Sequence, residues 1–313
     1  MISVLRIGQR QLETISVVDS AALKDATWID LSRASVAEKD LVIDTFGEIL
    51  QSNAMAGEIE ATSRYFEDER AIYIQLNFLN DSSSPFRNTN AVFALKGQTL
   101  VSLHDTELVP IRLFQKRAEL QPELVGSGMK VFLGILESKV DHLADVIEIT
   151  FATLEELGQR VLEQPTDDLQ SDLVALARLE AQNGTIRLNL MDMQRMLTSL
   201  LRSDKLGAEL SRVRDVLRDV ESLLSHTAFL LEEVSFLSST MLGLIDIEQN
   251  KIVKVLSVVA VVFLPPTLVA SMYGMNFHHM PELSWVFGYP LAILLMVVLG
   301  AAPYLYAKRR GWM

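Results

Sequence analysis

The chain has 313 residues, no cysteine and a formal net charge of −12. The lack of cysteine excludes a disulfide framework and a thiolate metal site, and the acidic balance argues against a nucleic-acid binder, which needs a basic surface. The last 63 residues carry +4, which leaves −16 on the first 250; this acidic part suits either ordinary solubility or a protein that meets cations. The first thirty residues lack a basic start followed by an apolar run, so no secretory signal is expected.

The first 120 residues have the pattern of a mixed α/β domain. The candidate strands are Ser3–Ile7, Gln11–Val17, Trp28–Leu31, Arg70–Leu79 and a hairpin of Asn90–Leu95 with Thr99–His104. Ser35 followed by Glu38 is a capping box, which predicts a helix that continues to Leu50. A loop at Asp81–Pro85 and a helix from Pro110 to Leu120 are also expected. No G-x-x-x-x-G-K-[ST] motif is present, so the sequence does not indicate a nucleotide-driven pump.

Between residues 121 and 250 the apolar period becomes helical. Helices are predicted at Gly128–Glu163 and Asp168–Arg202, with a break at Gln164–Asp167 and a turn at Ser203–Gly207. The next strong helix breaker is Pro265, so one helix of about 93 Å is expected from Ser211 to Met272. Its cytosolic part has an apolar stripe that needs partner helices, namely Leu217, Val220, Leu224, Leu231, Val234, Leu237, Met241 and Leu244.

Two apolar runs near the end of the chain, Ile252–Met272 and Val286–Tyr306, are long enough to cross a membrane. About 21 residues at roughly 1.5 Å each match a hydrocarbon core of about 30 Å. Basic residues flank both runs, and the connecting loop has none, so the positive-inside rule places both termini in the cytoplasm. The predicted parts are a cytosolic α/β domain (1–120), a cytosolic helical region (121–250) and a transmembrane domain (251–313).

A seam of small and polar side chains follows one face of the first run. Its members recur at spacings of three and four residues: Asn250, Val253, Ser257, Ala260, Leu264, Thr267 and Ser271. Small and polar residues in a membrane face helices or water, so the seam is either a tight helix–helix interface or a pore wall. Pro265 and Pro266 free backbone carbonyls in mid-span, either at a kink in a packed bundle or along a wet pore.

The first run ends in Tyr273-Gly274-Met275-Asn276. If the span borders a path for a cation that releases its water reluctantly, as Mg²⁺ does, a selective entrance should hold the hydrated ion through its waters. Neutral amide oxygens, such as that of Asn276 repeated around an axis, can do this without trapping the ion. The nearby His278 and His279 are either solvated or ligands of a softer metal, and no third spaced ligand accompanies them.

The motif lies within YGMNFHHMPELSWVFGYP, between two terminal spans and before a basic tail, and this context resembles the CorA family of divalent cation transporters. The preceding IEQNKIVKVLSVVAVVFLPPTLVAS is similar to the pore helix of that family, and WIDL and RYFED resemble its enterobacterial-type members. The resemblance implies an α+β cytosolic N-terminal domain, long stalk helices and two C-terminal transmembrane helices in a funnel-shaped homopentamer. It further implies a non-enzymatic protein of the bacterial inner membrane that conducts hydrated Mg²⁺ passively.

Carried over by position, the resemblance implies a selectivity filter of Gly274, Met275 and Asn276. It implies a pore lining and gate of Asn250, Val253, Leu256, Ser257, Ala260, Leu264, Thr267 and Ser271. Val253 stands where some members carry methionine, so the gate is less bulky here. The family closes when cytosolic Mg²⁺ bridges carboxylates between subunits. One such stalk position falls near Ser239, so the substitute regulatory ligands are Glu232, Glu233, Asp246 and Glu248.

Two alternatives stay open at the level of sequence. The same architecture would serve for Co²⁺, Ni²⁺ or Zn²⁺, although Met275 is kept where the zinc-transporting branch typically differs. A non-conducting scaffold, tethered to the lipid bilayer by its two spans, has no need for the seam or the motif. An enzyme is not indicated, because no catalytic constellation with suitable spacing is present.

Overall fold

The computed structural model describes residues 2–7, 12–15, 23–47, 65–80, 86–163, 169–275, 278 and 280–310. The chain divides into two compact units, Met1–Ser238 and Ser239–Met313. The strands are β1 (Ile2–Ile7), β2 (Leu12–Ile15), β3 (Trp28–Ser32), β4 (Tyr65–Glu67), β5 (Ile72–Asn80), β6 (Arg87–Lys96) and β7 (Thr99–His104). The α-helices are α1 (Val36–Phe46), α2 (Val109–Leu120), α3 (Gly128–Glu163), α4 (Leu169–Leu200), α5 (Leu210–Tyr273) and α6 (Gly288–Arg309).

All seven strands form one sheet in the order β2-β1-β3-β7-β6-β5-β4. Only the central pair, β3 and β7, is parallel among these strands, and every other neighbouring pair is antiparallel. The parallel pair needs a long connection, which is why residues distant in sequence meet in the middle of the sheet.

The sheet is covered by helices on both faces. On one face Ile29, Leu31 and Val101 pack with Val42 of α1 in a buried cluster. On the other face the buried ring of Trp28 meets Phe114 of α2 edge-on at 5.6 Å, and Phe93 meets Phe132 of α3 at 5.4 Å. Alternate residues of one strand therefore serve two cores, as the two-residue period of a strand requires.

The close approach of α2 and α3 depends on a glycine. A Cβ added at Gly134 of α3 would lie 2.2 Å from Cε2 of the Phe114 ring, a distance that no side chain tolerates. Phe114 is fully buried at this point. Close packing of this kind fixes the separation of the two helices.

Most of the predicted elements are confirmed. The Ser35 capping box is present, with Glu38 Oε2 accepting from the Ser35 backbone N–H at 2.7 Å, and β6 and β7 form the predicted hairpin. Helix α1 ends at Phe46 rather than continuing to Leu50, and a 3₁₀ turn, Asp204–Glu209, occupies the predicted loop after α4. The Asp81–Pro85 loop and the Gln164–Asp167 break lie outside the described residues.

The helical part of the first unit consists of α3, α4 and the first turns of α5. The apolar stripe of α3 from Val131 to Leu157 is buried, and the acidic residues of this helix are exposed except for Glu137, which is half-buried. Arg212 of α5 binds Glu137 of α3 through Nη2 and Oε2 at 2.7 Å, while Asn183 of α4 donates to the Thr227 carbonyl of α5 at 2.9 Å. These contacts supply the partner helices that the stripe of α5 requires.

The buried face of α5 differs in part from the predicted stripe. Val220, Val234, Leu237 and Met241 are buried as predicted, but Leu231 is 39% exposed. Leu217, Leu224 and Leu244 are only half-buried. The buried positions instead recur every three and four residues at Val213, Val216, Val220, Leu223, Thr227, Leu230, Val234, Leu237 and Met241. Apolar residues stand at adjacent positions such as Leu230 and Leu231, so periodicity alone does not decide which one packs inward.

A buried polar network lies where β3 and β7 run side by side. Trp28 Nε1 donates to Ser102 Oγ at 2.9 Å, Ser102 Oγ donates to Asp30 Oδ1 at 2.6 Å, and His104 Nε2 lies 3.0 Å from the same carboxylate oxygen. His104 Nδ1 faces the carbonyl oxygen of Thr106. Both ring nitrogens thus face acceptors, an arrangement that favours the doubly protonated, positive imidazolium. Burial lowers the pKa of His104, but the hydrogen bond and charge of Asp30, with smaller contributions from Thr106 and Asp105, raise it above its ordinary value.

This network predicts a loss of stability in alkaline solution. Because the folded-state pKa of His104 lies above the unfolded value of about 6.5, its stabilisation is complete below that pH and is lost as the pH rises through the folded-state pKa. The neutral ring can donate to only one of Asp30 and the Thr106 carbonyl, and the loss of the other hydrogen bond costs roughly 1–3 kcal/mol. Thermal unfolding of the full chain in detergent should therefore show a midpoint that falls from pH 6 to pH 9.

The matched variants for this measurement are His104→Gln and His226→Gln. His104→Gln should flatten the pH dependence, whereas His226→Gln, which removes an exposed histidine of α5, should leave it as in the wild type. An unchanged slope in His104→Gln would show that the network does not control stability.

Candidate functional site

The second unit contains the apolar C-terminal part of α5 and all of α6, and among the described residues these are the two helices that are apolar enough and long enough to cross a membrane. Helix α5 continues without interruption through Pro265 and Pro266, which confirms the prediction of one helix into the first span. Helix α6 begins at Gly288, two residues after the predicted start of the second span. The apolar stretches of both helices are almost wholly exposed within one chain, as expected for surfaces that meet lipid or other subunits.

One face of α5 packs against α6 in this unit. A Cβ added at Gly300 of α6 would lie 3.3 Å from Pro266 Cγ and 3.4 Å from the Val262 carbonyl oxygen. In a regular helix the backbone N–H of residue 266 would donate to the Val262 carbonyl, but proline has no N–H, so this carbonyl lacks its helical donor. The acceptor freed by Pro266 therefore lies against the second span, where the missing side chain of Gly300 makes room for it. Of the two locations that the sequence allowed for a carbonyl freed by these prolines, a packed bundle or a wet pore, the Val262 carbonyl has the first, because it faces α6.

The seam lies on the other side of α5. Most half-buried positions of the first span recur every three or four residues and include the contact with Gly300: Val258, Val262, Pro266, Val269 and Tyr273, with Pro265 as the one addition. At 100° per residue, this face and the seam are on opposite sides of the helix. Every seam residue is exposed in the single chain: Asn250, Val253, Ser257, Ala260, Leu264, Thr267 and Ser271. Leu256, the remaining predicted gate residue, is 70% exposed.

The seam hydroxyls have a defined orientation. Ser257 Oγ donates to the Val253 carbonyl at 2.8 Å, and Thr267 Oγ1 donates to the Phe263 carbonyl at 2.7 Å. Since the proton of each hydroxyl is used within the helix, the oxygen presents only acceptor lone pairs to its surroundings. An acceptor of this kind suits the water shell of a cation and does not suit an anion.

Helix α5 ends at the sequence motif. The Gly274 N–H donates to the Ala270 carbonyl at 3.0 Å, and the Met275 N–H donates to the Met272 carbonyl at 3.3 Å. The side chain of Met275 is half exposed. Asn276, the residue that would supply the amide oxygen of the predicted filter, lies outside the described residues, as do Phe277 and His279. His278 is exposed. The filter assignment therefore stays a prediction.

The acidic residues predicted to sense Mg²⁺ are spread along α5. Glu232, Asp246 and Glu248 are exposed, and Glu233 is half-buried. Within the described part of one chain, no three histidine, aspartate or glutamate side chains come together as a metal site. Bridging between subunits is what the sequence suggested, and for these four residues it remains a prediction.

Sequence reasoning missed the contribution of α6 to the site. Gly300, with Ala301 and Ala302 beside it, is the kind of small-residue cluster that permits close helix packing in membranes. The cluster is visible in the sequence, but the sequence does not show that Gly300 packs against Val262 and Pro266.

Comparison with known proteins agrees with this architecture. Residues 24–309 match the model of a family described as CorA-like Mg²⁺ transporter protein. Proteins named Magnesium transport protein CorA, from Salmonella typhimurium and from Escherichia coli K12, are each 41% identical over 316 aligned positions, which cover all of both chains.

Solved structures show the same fold. The complete CorA magnesium transporter of Methanocaldococcus jannaschii has a TM-score of 0.82 at 20% identity, over 100% of this chain and 99% of that one. The full-length CmaX protein has a TM-score of 0.71 at 16% identity, over 99% and 97% of the two chains. The predicted fold class, an α+β N-terminal domain, long helices and two C-terminal apolar helices, is thereby confirmed. The chain belongs to the CorA-like Mg²⁺ transporter protein family.

Proposed function

We propose that this protein is a homopentameric magnesium channel of the bacterial inner membrane, with both termini in the cytoplasm. Its relatives named for magnesium transport match it over their full length, which supports the transported ion. The observation that carries the proposal is the uncovered seam of α5, which lies opposite α6 and leads to the Gly274 motif. A single chain leaves this face without a partner, and copies arranged around an axis would turn it into the wall of a pore.

The chemistry of the seam favours a hydrated cation. Mg²⁺ demands near-ideal octahedral geometry and keeps several waters, so contacts through those waters are more suitable than direct ligation by carboxylates. The hydroxyls of Ser257 and Thr267 offer neutral acceptors, while Ala260 leaves room for the water shell. Below them Val253 and Leu256 form an apolar constriction that closes by excluding water. Asn276 and Gly274 form the external entrance.

Transport is passive in this proposal. An inside-negative potential contributes about 2.3 kcal/mol per charge for each 100 mV, hence roughly 4.6 kcal/mol for a divalent ion. That driving force makes a nucleotide site unnecessary.

The experiment that tests the function is Mg²⁺ uptake into proteoliposomes that contain a Mg²⁺-sensitive dye. With an imposed inside-negative potential, the wild type should take up Mg²⁺ well above protein-free vesicles, and collapse of the potential should slow the uptake. Co²⁺, Ni²⁺ and Zn²⁺ are then added as competitors to establish the preferred cargo. A correctly assembled protein that admits none of these ions would contradict the proposal and favour a tethered scaffold.

Closure by Mg²⁺ is the regulatory part of the proposal. Mg²⁺ bound between the acidic cytosolic parts of neighbouring subunits would favour the closed ring by shifting the population of states. Glu232, Glu233, Asp246 and Glu248 are the proposed ligands. None of them pairs with a basic side chain in the described part of the chain, so they are free to meet a cation.

Limited proteolysis checks this regulation. Mg²⁺ at ten times its dissociation constant should slow cleavage of the cytosolic part about ten-fold. Na⁺ at equal ionic strength is the control, because it screens charge without bridging carboxylates. If saturating Mg²⁺ leaves the cleavage rate at the Na⁺ value, closure by bound Mg²⁺ is wrong.

A further inference from the structure

A narrow groove of about 160 Å³ lies between α5 and α6 in the second unit. Its walls are formed by Val258, Val261 and Val262 of α5 and by Pro303 and Ala307 of α6. Ala307 is buried there, although most of its helix is exposed. From Lys254, which lines one end, to Val262 the groove follows α5 for about 12 Å.

The interior of the groove is hydrocarbon in character. Ser257, a seam residue whose side chain also borders the groove, has its hydroxyl proton already donated to the Val253 carbonyl. A cavity without polar partners does not hold ordered water. In a membrane the natural content of such a groove is an acyl chain.

The rim of the groove is basic. Lys254 stands at one side, and Lys308, Arg309 and Arg310 follow Ala307 at the other. The Arg310 guanidinium lies over the ring of Tyr306, a lining residue, at 5.7 Å. Within the described residues of the two spans and their loop, the only carboxylate after Glu248 is that of Glu282, which lies in the connecting loop and not at this end. Neither Lys254 nor Arg310 forms an ion pair with a carboxylate in the described part of the chain.

We propose that this groove binds an anionic phospholipid of the cytoplasmic leaflet. One acyl chain lies between α5 and α6, and Lys254 and Arg310 hold the headgroup phosphate. Basic sites between membrane helices on the cytoplasmic side bind anionic headgroups by the same chemistry. The proposal rests on the membrane orientation proposed above, with both termini in the cytoplasm, but not on ion conduction, so it would hold for a tethered scaffold as well.

The test is native mass spectrometry of the full-length oligomer in detergent, with equal amounts of 1-palmitoyl-2-oleoyl phosphatidylglycerol and the corresponding phosphatidylcholine. The wild type should retain phosphatidylglycerol in preference. Lys254→Gln and Arg310→Gln should each weaken that retention about five-fold. Lys251→Gln is the matched control, because it removes the same charge one helical turn earlier from a side chain that does not line the groove.

Ala307→Phe tests the groove itself. The added ring should fill the space and reduce the retention of both lipids, while leaving the charge of the rim unchanged. If this variant does not assemble, the proposal is judged on the retention of phosphatidylglycerol by Lys254→Gln and Arg310→Gln. Equal retention of the two lipids by the wild type would overturn the proposal, and so would an effect of Lys251→Gln as large as that of Lys254→Gln.

Discussion

Replacing Asn276 by alanine is expected to lower potential-driven Mg²⁺ uptake roughly 100-fold or more. A hydrogen bond to a charged partner contributes about 1.5–3 kcal/mol, and the substitution would remove one amide acceptor per subunit from the proposed entrance. The loss of two such bonds to the water shell of the ion amounts to about 3 kcal/mol, which corresponds to a factor of about 100. The measurement is dye-reported uptake into proteoliposomes under a fixed inside-negative potential.

Ser284→Ala is the matched control for this variant. Ser284 lies in the same loop, is exposed, and donates its hydroxyl to the Pro281 carbonyl at 2.8 Å, so its removal should leave uptake near the wild-type rate. Both variants must first elute as the wild-type oligomer. Normal uptake by assembled Asn276→Ala would contradict the entrance assignment and leave the ion selectivity to another part of the pathway.

Ala260→Trp is expected to abolish uptake altogether. Ala260 lies in the middle of the seam, on the face of α5 opposite the contact between Val262 and Gly300. If copies of the seam surround a pore, an indole from each subunit would fill the lumen at the level where Ala260 leaves room for the water shell of the ion. Uptake should then fall to the rate of protein-free vesicles, while the oligomer still forms because the α6 face is untouched.

Ala301→Trp makes the same change of side chain on the second span. Ala301 is exposed, and it stands one residue after Gly300, which faces α5. We expect this variant to conduct like the wild type because its indole points into lipid. Equal inhibition by the two substitutions would indicate a general effect of the indole on assembly, and full uptake by Ala260→Trp would exclude the seam from the pathway.

Uptake by the wild type and by the Ala260→Trp and Ala301→Trp variants also distinguishes a channel from a scaffold. A protein that uses its spans only as a tether would show no uptake for the wild type, and neither substitution would change any transport activity. The proposed lipid site between α5 and α6 does not depend on this distinction, since the residues that would hold the headgroup, Lys254 and Arg310, are not seam residues.

Much of this molecule was predictable because its signals are local and periodic. A stretch of about 20 apolar residues predicts a membrane span through its length alone, and both predicted spans lie on helices that are apolar enough to cross a membrane. The capping box at Ser35 and the alternation of Ile72–Asn80 are equally local. The seam was visible because small and polar residues stand out at helical spacing among the valines of the first span.

Other features depended on contacts that no local pattern contains. The buried network of Trp28, Asp30, Ser102 and His104 joins two strands that are more than 70 residues apart, and only their parallel pairing brings these groups together. The sequence likewise did not determine which face of α5 is buried, because Leu230 and Leu231 are equally apolar. The packing of α3 and α4 decides that Leu230 is the buried one.

By itself, the sequence determined the order of the parts, the two spans, the seam and the motif at its end. Only the tertiary structure decided that Gly300 packs against the Val262 carbonyl, so that most of the seam lies on the side of α5 away from α6. The physical reason is that hydrophobic periodicity states which side chains of a helix are alike, whereas close packing between two helices selects the face that meets its neighbour.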